Sequence, residues 1–272
     1  MQLTSLLNKL LITNGVQLSK IPKDLTTDKH QRPSVGHIIE LIGPSGVGKT
    51  YFYNHLRSEL EGGWYFRQDV KKISNYHGSS FSLLQEKDAL FIECLLKKKY
   101  ENVFLGKETL QRKVSLHEFF VKEIAADVYF RHTKLARGLF SDEGVTHNFS
   151  KELLWYHEKL NENGENKLHT ELQRFFENRS VLMYDAPTTQ IIKNLKARSS
   201  QKPGAGNDWF YYAGEKEVTE FIERSKKSKR KILSVLQRYD VDVLVLDATE
   251  DININKKKVL EFCSYVVSGK KE

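Results

Sequence analysis

Five short apolar runs recur along the chain, and between them the apolar positions shift to helical spacing. HIIELI at 37–42, WYF at 64–66, GLFSDEG at 138–144, VLMYD at 181–185 and VDVLVLDAT at 241–249 lack strict polar alternation, which predicts buried strands. Tyr51 to Leu60 reads as a helix that stops at Gly62 and Gly63. Residues 83–100 are helical, and Leu110, Val114, Phe120, Ile124 and Val128 mark one helix face within 108–137. The segment 149–178 returns to helix with a break at Asn163 and Gly164, and Pro187 suits the first turn of the helix that follows the fourth strand. Val218, Phe221, Ile222, Ile232, Leu233 and Leu236, with Ser225 and Lys229 at the same spacing, predict a helix with a basic outer face between its apolar ends. Leu260, Cys263 and Val267 share one side of a last helix.

Strands that alternate with helices require a parallel sheet covered on both faces. The expected fold is therefore α/β: three layers, a mostly parallel five-stranded sheet, a helical insertion at 83–137 and a lid. One domain over 37–267 accounts for the pattern. Residues 1–36, with a short amphipathic helix from Leu3 to Leu11 and a polar stretch containing Pro22 and Pro33, form an appendage. SSQKPGAGND, without periodicity and rich in Gly, Ser and Pro, lies within a lid expected over 193–210.

Composition narrows the class. Hydrophobic residues make up 39% and charged residues 29%, enough for a core and against both disorder and membrane spanning. The N-terminus lacks a basic start with a small-residue cleavage site, and the two cysteines, Cys94 and Cys263, sit in apolar helical patterns as reduced thiols do. A cytoplasmic location is expected. A net charge of +8 implies an anionic partner, although the runs at 97–99, 225–231 and 256–258 read first as solvated helix faces.

One motif carries the chemistry. GPSGVGKT, residues 43–50, follows a predicted buried strand and opens a predicted helix, which is the context a phosphate-binding loop needs. Backbone N–H groups of Gly43, Pro44, Ser45, Gly46, Val47, Gly48 and Tyr51's turn would surround a phosphate, proline excepted, which has no N–H; Lys49 would reach the β- and γ-phosphates, and the Thr50 hydroxyl would take Mg²⁺. ATP and Mg²⁺ are the cofactors this implies. A carboxylate must stand nearby on a neighbouring strand, and Asp142 and Glu143 are the foremost candidates: Asp142 for the metal, either one to orient or deprotonate an acceptor hydroxyl. Asp69, just beyond the second strand, is an alternative base, and Arg67 beside it could bind an anionic acceptor. Lys193, Lys196 and Arg198 precede the glycine-rich stretch, and Arg198 is the expected lid arginine.

Taken in order, these elements and the final VLVLDATE resemble P-loop kinases of the thymidylate kinase and nucleoside/nucleotide kinase superfamily over residues 37–267. The resemblance implies transfer of the γ-phosphate of MgATP to a small molecule, with the backbone near Ala248 and Thr249 close to adenine. The chain departs from the thymidylate kinase Asp-Arg-Tyr type motif, where it has Asp142-Glu143-Gly144, and from guanylate kinases in lacking their GMP-binding segment. The DEG triplet also resembles P-loop proteins that accompany bacterial surface-polysaccharide genes, which implies a sugar-linked acceptor. No LSGGQ or NKxD motif of transporter ATPases or GTPases is present. Two other readings stand beside this one: a nucleic-acid-dependent kinase or ATPase, drawn from the basic charge, and a nucleotide-binding switch without transfer.

Overall fold

The computed structural model describes residues 37–60, 63–73, 80–106, 109–132, 137–161, 170–201, 210 and 213–268. The N-terminal appendage and residues 202–209 of the expected lid lie outside them. In chain order the elements are β1 (Ile38–Ile42), α1 (Lys49–Leu60), β2 (Trp64–Phe66), α2 (Arg67–Ile73), α3 (Glu86–Phe104), α4 (Leu110–His132), β3 (Gly138–Asp142), α5 (Val145–Asn148), α6 (Ser150–Asn161), α7 (Thr170–Phe176), β4 (Arg179–Asp185), α8 (Thr188–Gln201), α9 (Glu215–Arg238), β5 (Asp242–Asp247) and α10 (Ile252–Ser268).

All five apolar runs are strands of one sheet in the order β2-β3-β1-β4-β5, and every neighbouring pair is parallel. This is the P-loop NTPase fold. The register places Leu41 beside Asp142, and Ile42 beside Met183. The loop after β1 therefore emerges at the centre of the sheet, flanked by the ends of β3 and β4, where open α/β sheets bind ligands.

Alternate residues of the central strands feed two cores. Ile39, Leu41, Leu182 and Tyr184 pack with Phe52, Leu56, Ile191 and Leu195 on one face. Ile42, Val181 and Met183 pack with Phe91, Ile124, Val128 and Phe149 on the other. The insertion helices α3 and α4 thus cover the second face and belong to the body of the domain.

Helix α9 joins the two cores. Its Val218 and Ile222 belong to the first, and its Ile232, Val235 and Leu236 to the second. Between them Lys226 and Lys229 are buried: Lys229 lies on the stripe that the spacing marks, and Lys226 departs from the basic outer face expected there. The physical reason is polar surroundings: Lys226 donates to the Ala186 carbonyl just past β4, and Lys229 to the His147 carbonyl at the end of α5. Lys227, Arg230 and Lys231 remain exposed.

Beneath the loop runs a buried charged ladder that the apolar reading of β1 did not anticipate. Glu40, in the middle of β1, is ion-paired with Arg179 at the start of β4, and Arg179 also holds Asp127 of α4 at 2.7 Å. Thr146 donates to Glu40 through both its backbone N–H and its hydroxyl. Desolvation pushes the Glu40 carboxyl up, with Arg179 opposing, whereas the adjacent arginines outweigh burial and hold Asp127 below the ordinary range.

Candidate phosphate-binding site

The loop between β1 and α1 bends through three glycines at positive φ: Gly43 at 154°, Gly46 at 84° and Gly48 at 100°. A Cβ on Gly46 would stand 2.6 Å from the Leu195 side chain, so both the backbone conformation and the packing of α8 exclude a side chain there. Asn194 of α8 donates to the Gly46 carbonyl at 3.2 Å and steadies the crown of the loop. Phe52 stacks on Tyr184 at 4.8 Å and anchors α1 against β4.

Lys49 is buried, and its Nζ donates to the carbonyls of Gly43 at 3.1 Å and Pro44 at 2.9 Å. It also pairs with Glu143 Oε1 at 3.1 Å. Burial lowers the Lys49 ammonium from its ordinary range, while Glu143 and Asp142 work in the opposite direction. The loop lysine and the carboxylates at the end of β3 and just beyond it, more than ninety positions apart in sequence, form one electrostatic unit.

The two carboxylates have different surroundings. Asp142 is buried and accepts from Arg67 Nη1, at 2.9 Å on its carbonyl and 3.5 Å on Oδ1. Desolvation raises its pKa, and Arg67 counters this. Glu143 has a more open side chain and a left-handed backbone, φ 55°, which turns the chain out of β3 and aims the residue at Lys49. Asn148 donates to its carbonyl, and His147 Nε2 lies 3.8 Å from its Oε1.

Gly144 has a steric role. A Cβ there would lie 2.6 Å from Glu40 Oε2, so the turn after Glu143 rests on the buried ladder.

The remaining predicted residues divide. Arg198 lies one helical turn beyond Asn194 on α8, half-buried, and its charge reaches Lys49. Lys193 and Lys196 are exposed, and Lys196 pairs with Glu215 at 2.8 Å. Asp69 receives the Phe66 N–H at 3.1 Å and lies 3.5 Å from Arg57, so its carboxylate holds the junction of β2 and α2. Arg67 is the inward-facing member of that pair, bonded to Glu123 and Asp142. Thr50 and Tyr51 are exposed on the first turn of α1, and Ala248 and Thr249 form the turn after β5. The oxygens of Thr50, Asp142 and Glu143 suit a hard cation that shares phosphate oxygens and water. Among the described residues no three His, Cys, Asp or Glu side chains cluster to hold a metal by themselves.

Sequence reasoning missed four residues here. Asp185 closes β4 beside the loop, with Lys226 at 3.2 Å and Arg230 at 3.3 Å. Lys229 and Lys99 approach the carbonyls of His147 and Asn148, and His147 touches Glu143. Helical spacing offered a signal for α9, because 226 and 229 fall on the stripe of Ile222, Ile232 and Leu236.

No family model and no curated protein matches the sequence. Among solved structures, the chain is similar to a deoxyadenosine kinase from M. mycoides with bound dATP, at 14% identity and a TM-score of 0.42, over 84% of this chain and 100% of that one. No helix among the described residues is long and apolar enough to cross a membrane.

Proposed function

We propose that the chain is a phosphotransferase that moves the γ-phosphate of MgATP to a hydroxyl or phosphate of a small, nucleotide-like or sugar-linked acceptor. The observation that carries this reading is the contact of the loop lysine Lys49 with Glu143, which follows Asp142 on the strand beside β1. A loop built only to hold nucleotide needs the lysine. Phosphoryl transfer also needs a carboxylate near the γ-phosphate to prepare a nucleophile, and the contact of Glu143 with the loop lysine supports that role for it.

The glycine-bent loop and the N-terminus of α1 present N–H groups to the nucleotide phosphates. Thr50 and Asp142 would hold Mg²⁺, which when bound neutralises charge between the β- and γ-phosphates. Glu143 orients the acceptor hydroxyl and receives its proton as the new O–P bond forms and the bond to the β-phosphate oxygen breaks, releasing ADP. Lys49 and Arg198 stabilise the charge that spreads over the transferring group. Arg67 fixes Asp142 and ties it to the insertion helix α4 through Glu123 at 2.7 Å.

The test is ADP release from MgATP by the full chain, alone and with pooled nucleosides, nucleotides, sugars and short oligonucleotides, beside a Lys49→Ala control. Stimulation by one small-molecule pool, lost in the control, is the expected result. Stimulation by oligonucleotides alone would favour the nucleic-acid reading, and tight nucleotide binding without turnover in every pool would favour a switch.

A further inference from the structure

Lys229 is the cation of this region that the phosphate-binding loop does not explain. It is 5% exposed, and its Nζ donates to the His147 carbonyl at 2.7 Å and Ser150 Oγ at 3.0 Å. Both acceptors are neutral, and an ammonium has three N–H donors. Its cationic neighbours each have a carboxylate: Lys49 has Glu143, Lys99 has Glu152, and Arg67 has Glu123 and Asp142. Among the described residues no carboxylate oxygen lies within 4.0 Å of Lys229 Nζ. Beside it, His147 Nδ1 is buried without a hydrogen-bond partner among the described residues. A buried cation without a counter-ion is costly unless something anionic joins it.

Its position indicates what would join it. Glu143 Oε1 lies 3.1 Å from Lys49 Nζ and 3.8 Å from His147 Nε2, and the carbonyl of the same histidine receives Lys229. The carboxylate assigned to prepare the acceptor hydroxyl therefore pairs with Lys49, touches the His147 ring, and with Glu40 acts on Lys229 only from beyond ion-pair distance.

We propose that Lys229, with Lys99 and His147, forms a second oxyanion site beside the phosphate-binding loop, and that it takes a phosphate group carried by the acceptor. The proposal rests on the phosphotransferase reading above. It narrows the acceptor to phosphorylated small molecules whose reacting hydroxyl reaches Glu143. Burial, reinforced by Lys49 and Lys99, lowers the Lys229 pKa to about 7, and a bound phosphate would reverse that shift, so binding should take up a proton at mildly alkaline pH.

The experiment is a calorimetric titration of inorganic phosphate into the full chain saturated with Mg²⁺ and a non-hydrolysable ATP analogue, at constant ionic strength. Wild type is compared with Lys229→Gln, which keeps a donor for the His147 carbonyl but no charge, and with Lys229→Arg. Phosphate should bind wild type with proton uptake at pH 8, at least about tenfold more weakly in Lys229→Gln, and with partial recovery in Lys229→Arg. Absence of phosphate binding to wild type, or undiminished binding in Lys229→Gln, overturns the proposal. Should the analogue fail to bind, the phosphotransferase reading falls instead, and the same titration on Lys49→Ala, whose loop lysine is gone, still decides the second site. If Lys229→Gln does not fold, loss of the proton-linked signal in Lys229→Arg is the supporting result and its full retention the contrary one.

Discussion

Lys49 Nζ lies 3.1 Å from Glu143 Oε1, and through that contact the loop after the central strand meets the turn after its neighbour. The pair sets up a competition. A phosphate that draws on the lysine must loosen it from the glutamate, and the glutamate is then free to turn to an acceptor.

Lys49→Ala should therefore reduce ADP release by at least about 100-fold, the scale seen when one donor to developing phosphoryl or oxyanion charge is removed. Steady-state kinetics with the stimulating pool, together with a nucleotide-binding titration, would check it.

The two carboxylates should separate in their kinetic effects. Glu143→Gln is expected to lower kcat by about 10² to 10⁴, the range of general-base catalysis, with nucleotide affinity unchanged or raised because Lys49 is released. Asp142→Asn should instead show as a raised Mg²⁺ requirement. Activity measured against Mg²⁺ concentration for both variants distinguishes these roles, and identical profiles would remove the division of labour.

Lys229 should leave a signature in stability against pH. Its pKa of about 7 in the folded chain lies below the 10.5 of the ordinary side chain, so the unfolded state binds more protons between those values. Its contribution is destabilising below pH 7 and is relieved as pH rises through that window, by at most an order of 5 kcal/mol. Lys49, Lys99, His147, Glu143 and Glu40 act on the same region, so the readout is a difference. Urea denaturation of wild type should gain stability from pH 7 to pH 9.5 relative to Lys229→Gln, and parallel profiles would contradict the assignment.

Arg179→Met should be strongly destabilising. It removes the guanidinium shared by Glu40 and Asp127 and leaves two buried carboxylates facing each other, a loss of about 3–5 kcal/mol by comparison with broken buried ion pairs. The midpoint of chemical denaturation measures it. Part of the loss should be recovered at acid pH, where the two carboxyls take up protons.

The sheet was legible because each strand is buried on two faces and so reads as a continuous apolar run. The loop was legible because its backbone geometry and its lysine are contiguous in sequence. Glu40 was hidden inside HIIELI, since its partner Arg179 is 139 positions away and only the pairing of β1 with β4 brings them together. Lys226 was misread for a related reason. Charge alone puts a lysine on the outside, and only the passage of α9 over the strand ends supplies the carbonyls that make burial tolerable. Asp69 and Arg67 are adjacent in sequence environment but serve different surfaces, because the turn into α2 directs one to the Phe66 N–H and the other to Asp142.

The contact between Gly144 and Glu40 couples two positions that lie 104 apart in the chain. A chain with any side chain at 144 must shorten the residue at 40 or tilt β1 away from β3. A shortened residue at 40 would in turn strand Arg179. The three sites therefore vary as a set or stay fixed as a set, and among distant relatives glycine at 144 should accompany glutamate at 40 and arginine at 179.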